Sequence, residues 1–249
     1  MCASSQGLGR ACAEALLAEG VSVVINGRDA AKLATTADEL RAGAPGAIVT
    51  PLAADITTAS GRTALLAACP EPDILVTNNV GPKPGSITEV TDEDLARALE
   101  LHYWTPISLV RAVLPGMIER RFGRIVNITS AMVKAPIPPL ALSVSARLGL
   151  TGFVKAIAPL YAKSNVTINN LLPELFETDR LVSNLAKIAG AAGRTLDEEK
   201  ASRQAGCPAG RFGRVEELGA VCAFYCSEHT GYLTGQNILL DGGLYPGTF

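Results

Sequence analysis

The sequence is poor in net charge, in aromatic side chains and in histidine. Its 249 residues carry 22 Lys and Arg against 24 Asp and Glu, with 5% aromatic residues and only two histidines. A formal net charge of −2 provides no basic field for nucleic acid and no polybasic patch for a membrane surface. We therefore expect neither nucleic acid nor membrane as a partner.

Long hydrophobic runs and paired cysteines are also missing. No uncharged apolar run reaches the roughly 18 residues of a membrane span, and the N-terminus has no charged segment leading into an apolar one. The six cysteines include no C-x-x-C pair, and no pair of histidines completes a metal site. We predict free thiols in a cytoplasmic protein, without a bound metal.

What the sequence does have is an alternation of β-branched runs with alanine-rich amphipathic stretches. Predicted strands are Val21–Asn26, Ala47–Ala53, Asp73–Thr77, Arg124–Thr129, Thr167–Leu172 and Asn237–Asp241. Predicted helices are Arg10–Ala18, Ala30–Ala42, Asp92–Arg120, Ser143–Ala162 and Val215–Cys226. This order favours an α/β fold of three layers, with a parallel sheet covered on both faces, in one domain over residues 1–249.

One stretch interrupts the alternation. Residues 181–212 are helical in pattern but polar, and they contain four glycines. A long insertion late in an α/β chain is typical of a lid or substrate loop, and a mobile surface segment is the alternative.

A glycine-rich turn lies at the very start of the sequence. It contains Ser4, Ser5, Gly7, Leu8 and Gly9 and leads directly into a helix, whose N-terminus favours a phosphate group. Such a turn is normally positioned by a strand before it, and the sequence shows none. We therefore expect the sheet to lack its first, central strand.

Further motifs follow the later strands. Ala54-Asp55-Ile56 follows the second predicted strand, Asn78-Asn79-Val80-Gly81 follows the third, and Asp241-Gly242-Gly243 ends the last. Together with the glycine turn, this succession resembles the short-chain dehydrogenase/reductases, and among them the 3-oxoacyl-acyl-carrier-protein reductases, over nearly the whole chain. The resemblance implies a Rossmann-type doubly wound sheet. It also implies a set of dinucleotide-binding residues: Ser4, Ser5, Gly7, Leu8, Gly9, Arg28, Asp55, Asn79, Gly81, Arg147 and Thr178.

The end of the first predicted strand indicates which dinucleotide is bound. Enzymes that use NAD place an acid there, and this chain has Gly27 followed by Arg28. A guanidinium can pair with a ribose 2′-phosphate, which an acid would repel. We predict that NADP(H) is favoured over NAD(H); the alternative is that Arg28 is merely a solvated loop residue.

The resemblance fails at two catalytic positions. Relatives have a serine, a tyrosine thirteen positions later and a lysine four beyond that; here these positions hold Ser130, Ser143 and Arg147. The asparagine of the family's preceding long helix corresponds to His102. A serine hydroxyl is a much weaker acid than a phenol, and arginine stays protonated, so proton delivery must differ. We predict Ser130, Ser143, Arg147 and His102 as the catalytic set.

Other proton carriers remain open. His102 titrates near neutrality in water, although a lone histidine in an apolar helix is often a packed core residue. Lys134 lies four residues beyond Ser130, and Glu174 replaces a family glycine close to the expected nicotinamide position. Glu174 could act as a base, repel an anionic ligand or face solvent.

The expected function is NADP(H)-dependent oxidation or reduction of a carbonyl or alcohol group on a largely apolar small molecule, with non-standard proton delivery. The apolar segment from Ala135 to Leu142 suggests the apolar substrate. The alternatives are a non-redox lyase, isomerase or C–C hydrolase on the same scaffold, or a catalytically silent dinucleotide-binding subunit. Relatives associate through their long helices and last strand, which implies a homotetramer or a homodimer.

Overall fold

The computed structural model describes residues 1–82 and 85–248, which form parallel strands alternating with helices. The strands are β1 (Val23–Gly27), β2 (Val49–Ala53), β3 (Ile74–Thr77), β4 (Gly123–Ile128), β5 (Val166–Pro173) and β6 (Asn237–Leu240). Each coincides with a predicted strand to within about two residues, as is usual for element ends. The predicted α/β class with a parallel sheet is confirmed.

Helices cover the strands on both faces. They are α1 (Gly7–Ala18), α2 (Ala30–Gly43), α3 (Ala59–Ala68), α4 (Asp92–Leu99), α5 (Thr105–Glu119), α6 (Ala141–Tyr161), α7 (Asp179–Ala191), α8 (Leu196–Ala205) and α9 (Val215–Cys226). The sequence analysis did not predict α3, because its small side chains and its glycine in the first turn give a weak helical signal. That glycine, Gly61, is required by packing, since an added Cβ would lie 1.9 Å from the carbonyl oxygen of Asp55.

The sheet is divided into two parts. One part has the order β1-β2 and the other β3-β4-β5-β6, and all pairs are parallel. Between β1 and β3, where a doubly wound fold has its central strand, the described residues form no strand. An apolar cavity of about 70 Å³ lies there, lined by side chains that include Met1, Leu75 and Val113. The expected absence of the first strand agrees with this division.

The first four residues bridge the two parts in place of that strand. The Met1 amino group donates to the carbonyl of Val24 at 2.9 Å, and the Ser4 amide donates to that of Asn26 at 2.8 Å. On the other side, the Cys2 amide donates to the carbonyl of Val76 at 3.0 Å. These bonds place the glycine turn at the carboxyl ends of β1 and β3.

A ladder of polar side chains, buried in β3, β4 and β5, fixes the register of the larger part. The hydroxyl of Thr77 bonds to Asn127, Asn127 donates to Asn170, and Asn170 donates to Asn237, at 2.6, 3.0 and 2.8 Å. Each pair is opposite in strand register. Because a slip of one residue would leave buried amides without partners, the ladder fixes how the carboxyl ends of β3, β4 and β5 line up.

The predicted helix Asp92–Arg120 is interrupted at its middle. A π-helical turn, Glu100–Trp104, joins α4 to α5. It turns His102 into the interior, whereas Tyr103 packs edge-on against Phe153. Such π turns are frequent at functional sites.

The polar insertion consists of α7 and α8, which pack against each other. Glu199 of α8 is 1% exposed and binds both Arg194 and Arg203. The pair with Arg194 holds the connection between the helices to α8, and the pair with Arg203 lies within α8.

The segment Pro138–Ser164, which contains α6, is long and apolar enough to cross a membrane by length and composition. The core helix of a globular protein meets the same criteria, and α6 here packs against β5 and buries Arg147. All six cysteines are free, and all except Cys69 are buried.

We predict that replacing Ala3 by glycine stabilises the protein. Ala3 has a φ of +45°, a conformation that costs an L side chain about 1–2 kcal/mol. After the entropy that glycine adds to the unfolded chain, Ala3→Gly should raise the free energy of unfolding by about 0.5–1 kcal/mol. Denaturant unfolding measures the difference.

Ala34→Gly, on the exposed face of α2, is the matched control, because the same change in a helix interior costs about 1 kcal/mol. Equal destabilisation by both substitutions would show that the turn at Ala3 is unstrained.

Candidate active site

The glycine turn and the first turn of α1 form one end of the site. Gly7 has a φ of +56°, and a Cβ added to Gly9 would lie 2.2 Å from the carbonyl oxygen of Ala3. No side chain caps α1 and no acidic residue lies in its first turn. The exposed amides and the helix dipole suit the pyrophosphate of a dinucleotide, so this cradle fits the cofactor that the sequence implies.

A cleft of about 250 Å³ adjoins this turn at the carboxyl ends of β1 and β2. Its lining includes Ser5, Arg28, Lys32, Asp55 and Asn79. The sequence analysis missed Lys32, which lies in the first turn of α2, four residues after Arg28. Two cations at the end of β1 favour a ribose 2′-phosphate.

Asp55 is held in its ionised form. Burial raises the pKa of its carboxyl, but hydrogen bonds from Thr57, together with the charges of Arg97 and Arg28, outweigh this and lower the pKa. The carboxylate accepts from the amide and hydroxyl of Thr57 at 2.9 and 2.7 Å. Asp55 is thereby fixed at the edge of the cleft.

Four of the predicted cofactor residues, Ser5, Arg28, Asp55 and Asn79, line this cleft, and others lie around it. Thr178 caps α7 and lies across from the glycine turn, since a Cβ on Gly7 would be 3.5 Å from its methyl group. Asn79 donates to the carbonyl of Leu101 at 3.4 Å, at the π turn. Gly81 follows it and lies against the guanidinium of Arg180.

Two of the predicted cofactor residues face the interior. The Ser4 hydroxyl bonds to the carbonyl of Met1 and to the amide of Asn26, and Ser4 is fully buried. Leu8 packs its side chain against the hydrophobic core. The Ser4 side chain therefore holds the turn to β1.

Three of the predicted catalytic residues lie at the carboxyl end of β4. Arg147 donates from Nε to the Ser143 hydroxyl at 3.2 Å and from Nη1 to the carbonyl of Ile128, the last residue of β4, at 3.0 Å. Ser130, two residues after β4, accepts a hydrogen bond from the amide of Met132 at 3.2 Å. Arg147 is 9% exposed, and burial together with the charge of Arg180 lowers its pKa to about 10. At neutral pH it is still a cation.

The structure corrects the expectation that His102 titrates near neutrality. His102 is 4% exposed, and burial together with the charges of Arg147 and Arg180 lowers its pKa to about 2. It therefore stays neutral, and Nε2 has no hydrogen-bond partner in the described part of the chain. The residue shares with Arg147 the lining of a small cavity of about 10 Å³, about the size of one water molecule.

Lys134 and Glu174 lie beside the C-terminal segment. The Lys134 ammonium lies over the ring of Tyr245, 5.2 Å from its centre. Glu174 is half-buried after β5, and burial and the nearby Asp241 raise the pKa of its carboxyl.

Known proteins are similar to this chain in sequence and in fold. The family model described as "Enoyl-(Acyl carrier protein) reductase" matches residues 2–245. The NADPH-dependent reductase BacG of Bacillus subtilis is 30% identical over 96% of this chain and 94% of its own. The 3-oxoacyl-[acyl-carrier-protein] reductase FabG of Salmonella typhimurium is 29% identical over 97% of this chain and 94% of its own.

One solved structure is also similar to this chain in its fold and sequence. It is a short-chain oxidoreductase from Pseudomonas aeruginosa PAO1, described as NADPH-bound and as containing an atypical catalytic center. It is 28% identical, with a TM-score of 0.88 over 99% of this chain and 96% of that one. The relatives support both a preference for NADP(H) and an oxidoreductase activity. A dinucleotide cradle, a parallel sheet of this topology and a match over nearly the whole length lead to one conclusion: the chain belongs to the short-chain dehydrogenase/reductase superfamily, among the proteins similar to 3-oxoacyl-acyl-carrier-protein reductases.

Proposed function

We propose that this chain interconverts a carbonyl and an alcohol on a largely apolar small molecule, using NADP(H), with a serine–arginine pair in place of a tyrosine–lysine pair. The observation that carries the proposal is the bond between the buried guanidinium of Arg147 and the hydroxyl of Ser143. It puts a fixed positive charge and a hydroxyl donor where the family places its proton donor.

The cofactor, when bound, supplies or accepts the hydride at the carbonyl carbon. Gly7, Gly9, Arg28 and Lys32 are the residues that would hold it, through the cradle and the two cations described above. The protein must then orient the substrate carbonyl and stabilise the charge that develops on its oxygen.

Ser130 can orient that oxygen. Its Oγ already accepts from the Met132 amide, so the hydroxyl hydrogen is left to donate. Ser143 is arranged likewise, because Oγ accepts from Arg147 and its hydrogen is free for the same oxygen.

Arg147 would stabilise the developing oxyanion by charge instead of by proton transfer. Its position is rigid, because Nη1 is held by the carbonyl at the end of β4. The proton that completes the alcohol comes from solvent through the hydroxyl groups. Loss of a general acid with a suitable pKa lowers the rate by about 10²–10⁴. We therefore expect turnover to be slower by that factor than in a relative that has the tyrosine.

The apolar character of the substrate is argued from one loop. Ile137 and its neighbouring prolines are exposed between Ser130 and α6, where they offer an apolar wall. The two-helix insertion over residues 181–212 starts three residues after Thr178, so we propose it as the lid over the same space. We also propose that residues 1–249 form a single domain, which contains both the apolar loop and this lid.

We propose a cytoplasmic homotetramer or homodimer. The free thiols fit a reducing compartment. Leu95, Trp104 and Leu148 are exposed apolar residues on α4, the π turn and α6, the helices that resemble the association surface of the family.

The direct test of the activity is stoichiometry. A panel of apolar ketones and aldehydes is incubated with NADPH, and loss of nicotinamide absorbance is compared with alcohol formed. Equal amounts support the proposal. Product formed without cofactor oxidation would favour a lyase, isomerase or hydrolase, and NADPH binding without turnover of any substrate would favour a silent subunit.

NADPH should bind more tightly than NADH, and Arg28→Ala should remove most of the difference. Charge-assisted hydrogen bonds contribute about 1.5–3 kcal/mol, so the loss of NADPH affinity should be about 10- to 100-fold. Binding is measured by titration calorimetry with both cofactors. Affinity for NADH is the internal control and should not change, and equal affinities in the unmodified protein would contradict the assignment.

Restoring the family pair should raise reductase activity. Ser143→Tyr combined with Arg147→Lys supplies a phenol whose pKa is lowered by a nearby ammonium, and we expect a gain of at least about 10² in kcat on an activated ketone. Stopped-flow NADPH oxidation measures it.

Adding Ser130→Ala to that variant should remove the gain, because the carbonyl loses its orienting hydrogen bond. If the restored pair stays inactive while NADPH still binds, Glu174→Gly is added to test whether this carboxyl obstructs the nicotinamide position. Continued inactivity of the variant that combines Ser143→Tyr, Arg147→Lys and Glu174→Gly would refute the hydride mechanism.

A further inference from the structure

Two guanidinium groups lie near the carboxyl ends of β4 and β3, which are neighbours in the sheet. Arg147 reaches the end of β4 from α6, and Arg180 reaches Gly81 from the first turn of α7. A Cβ added to Gly81 would lie 2.5 Å from one guanidinium nitrogen of Arg180. The charge of Arg180 is close enough to lower the pKa values of both Arg147 and His102.

Neither guanidinium has an acidic partner within residues 1–82 and 85–248. Arg147 bonds only to the neutral oxygens of Ser143 and Ile128, and no hydrogen bond or ion pair of Arg180 is formed with a described residue. Other arginines of the chain do find carboxylates: Arg194 and Arg203 bind Glu199, and Arg211 binds Glu217.

A third nitrogen near Arg147 is also unpartnered. His102 Nε2 is buried, forms no hydrogen bond with a described residue, and lines the same small cavity as Arg147. Arg147 is buried, whereas Arg180 is exposed at the edge of the site. A buried cation without a counter-charge is costly, and an unmet buried polar atom adds to that cost. An anion bound between the two arginines would relieve the positive charge.

We propose that Arg180, together with Arg147, binds an oxyanionic group, and that this group is the carboxylate of the substrate. The inference rests on the proposed function and narrows its substrate class to an oxo acid, or the corresponding hydroxy acid, with an aliphatic chain. The chain packs on the apolar wall at Ile137, while the carboxylate is held at Arg180. The diphosphate of the cofactor carries the same oxyanion chemistry and is the second possible source.

The experiment measures binding, so that it does not depend on turnover. Hexanoate and its neutral isostere hexanamide are titrated by calorimetry into the NADP⁺-loaded protein. NADP(H) affinity is measured separately by nicotinamide fluorescence. The variants are Arg180→Gln and, as a matched control, Lys187→Gln, which removes one exposed positive charge from the same helix.

We expect hexanoate to bind at least about tenfold more tightly than hexanamide, and Arg180→Gln to abolish that preference while leaving NADP(H) affinity within about twofold. Lys187→Gln should retain the preference. If Arg180→Gln weakens NADP(H) binding and leaves the hexanoate preference intact, the anion is the cofactor diphosphate and the oxo-acid assignment is overturned. Equal binding of hexanoate and hexanamide, with unchanged NADP(H) affinity in Arg180→Gln, overturns the anion site altogether.

Whether the protein binds a carboxylate can be decided independently of whether it transfers a hydride. If the unmodified protein does not bind NADP(H), the fluorescence titration shows it directly, and the hexanoate comparison is then made on the cofactor-free protein. A carboxylate preference there would support the anion site even though hydride transfer had failed.

Discussion

The hydrogen bonds from residues 1–4 to β1 and β3 are the constraint on which the site depends. They are the direct backbone connection between the two parts of a divided sheet, and they set the position of the glycine turn. Ser4 strengthens this bridge with its side chain, and Asn78 donates to the carbonyl of Ala3 at 3.4 Å. A shift of this short segment would move the cofactor cradle relative to Ser130 and Arg147, which belong to the other part of the sheet.

The proposed chemistry at the carboxyl end of β4 depends on the permanent positive charge of Arg147. The amide ladder through Asn127 and Asn170 aligns β4 and β5, and the carbonyl of Ile128 then fixes Arg147. With His102 neutral and Arg147 cationic, no group of the serine–arginine–histidine set changes charge near neutral pH. This arrangement disfavours acid–base chemistry through His102, and it suits stabilisation of a negative oxygen.

The sequence predicted the fold through its alternation of strands and helices, and it predicted the positions of Ser130, Ser143 and Arg147 through motif spacing. Parallel strands bring their carboxyl ends to one edge, so residues that follow each strand meet there. The sequence could not show that His102 is neutral, because that depends on burial by a π turn and on charges from two distant helices. Arg180 was missed for a similar reason: a single arginine in a polar helix gives no pattern, and only its position two residues after the Thr178 cap indicated the site. The division of the sheet was predictable from the missing strand, whereas the bridge made by residues 1–4 was not.

The pH dependence of NADPH oxidation tests the central claim most directly. If a permanent guanidinium charge replaces a titrating proton donor, kcat on an activated oxo acid should not change between about pH 6 and about pH 9. The reason is that the pKa of His102 is about 2 and that of Arg147 is about 10, so both lie outside that range. The rate should fall only above about pH 9, as Arg147 loses its proton. An inflection near neutrality that persists in His102→Gln would contradict the account, since it would reveal a titrating group that the serine–arginine pair does not contain.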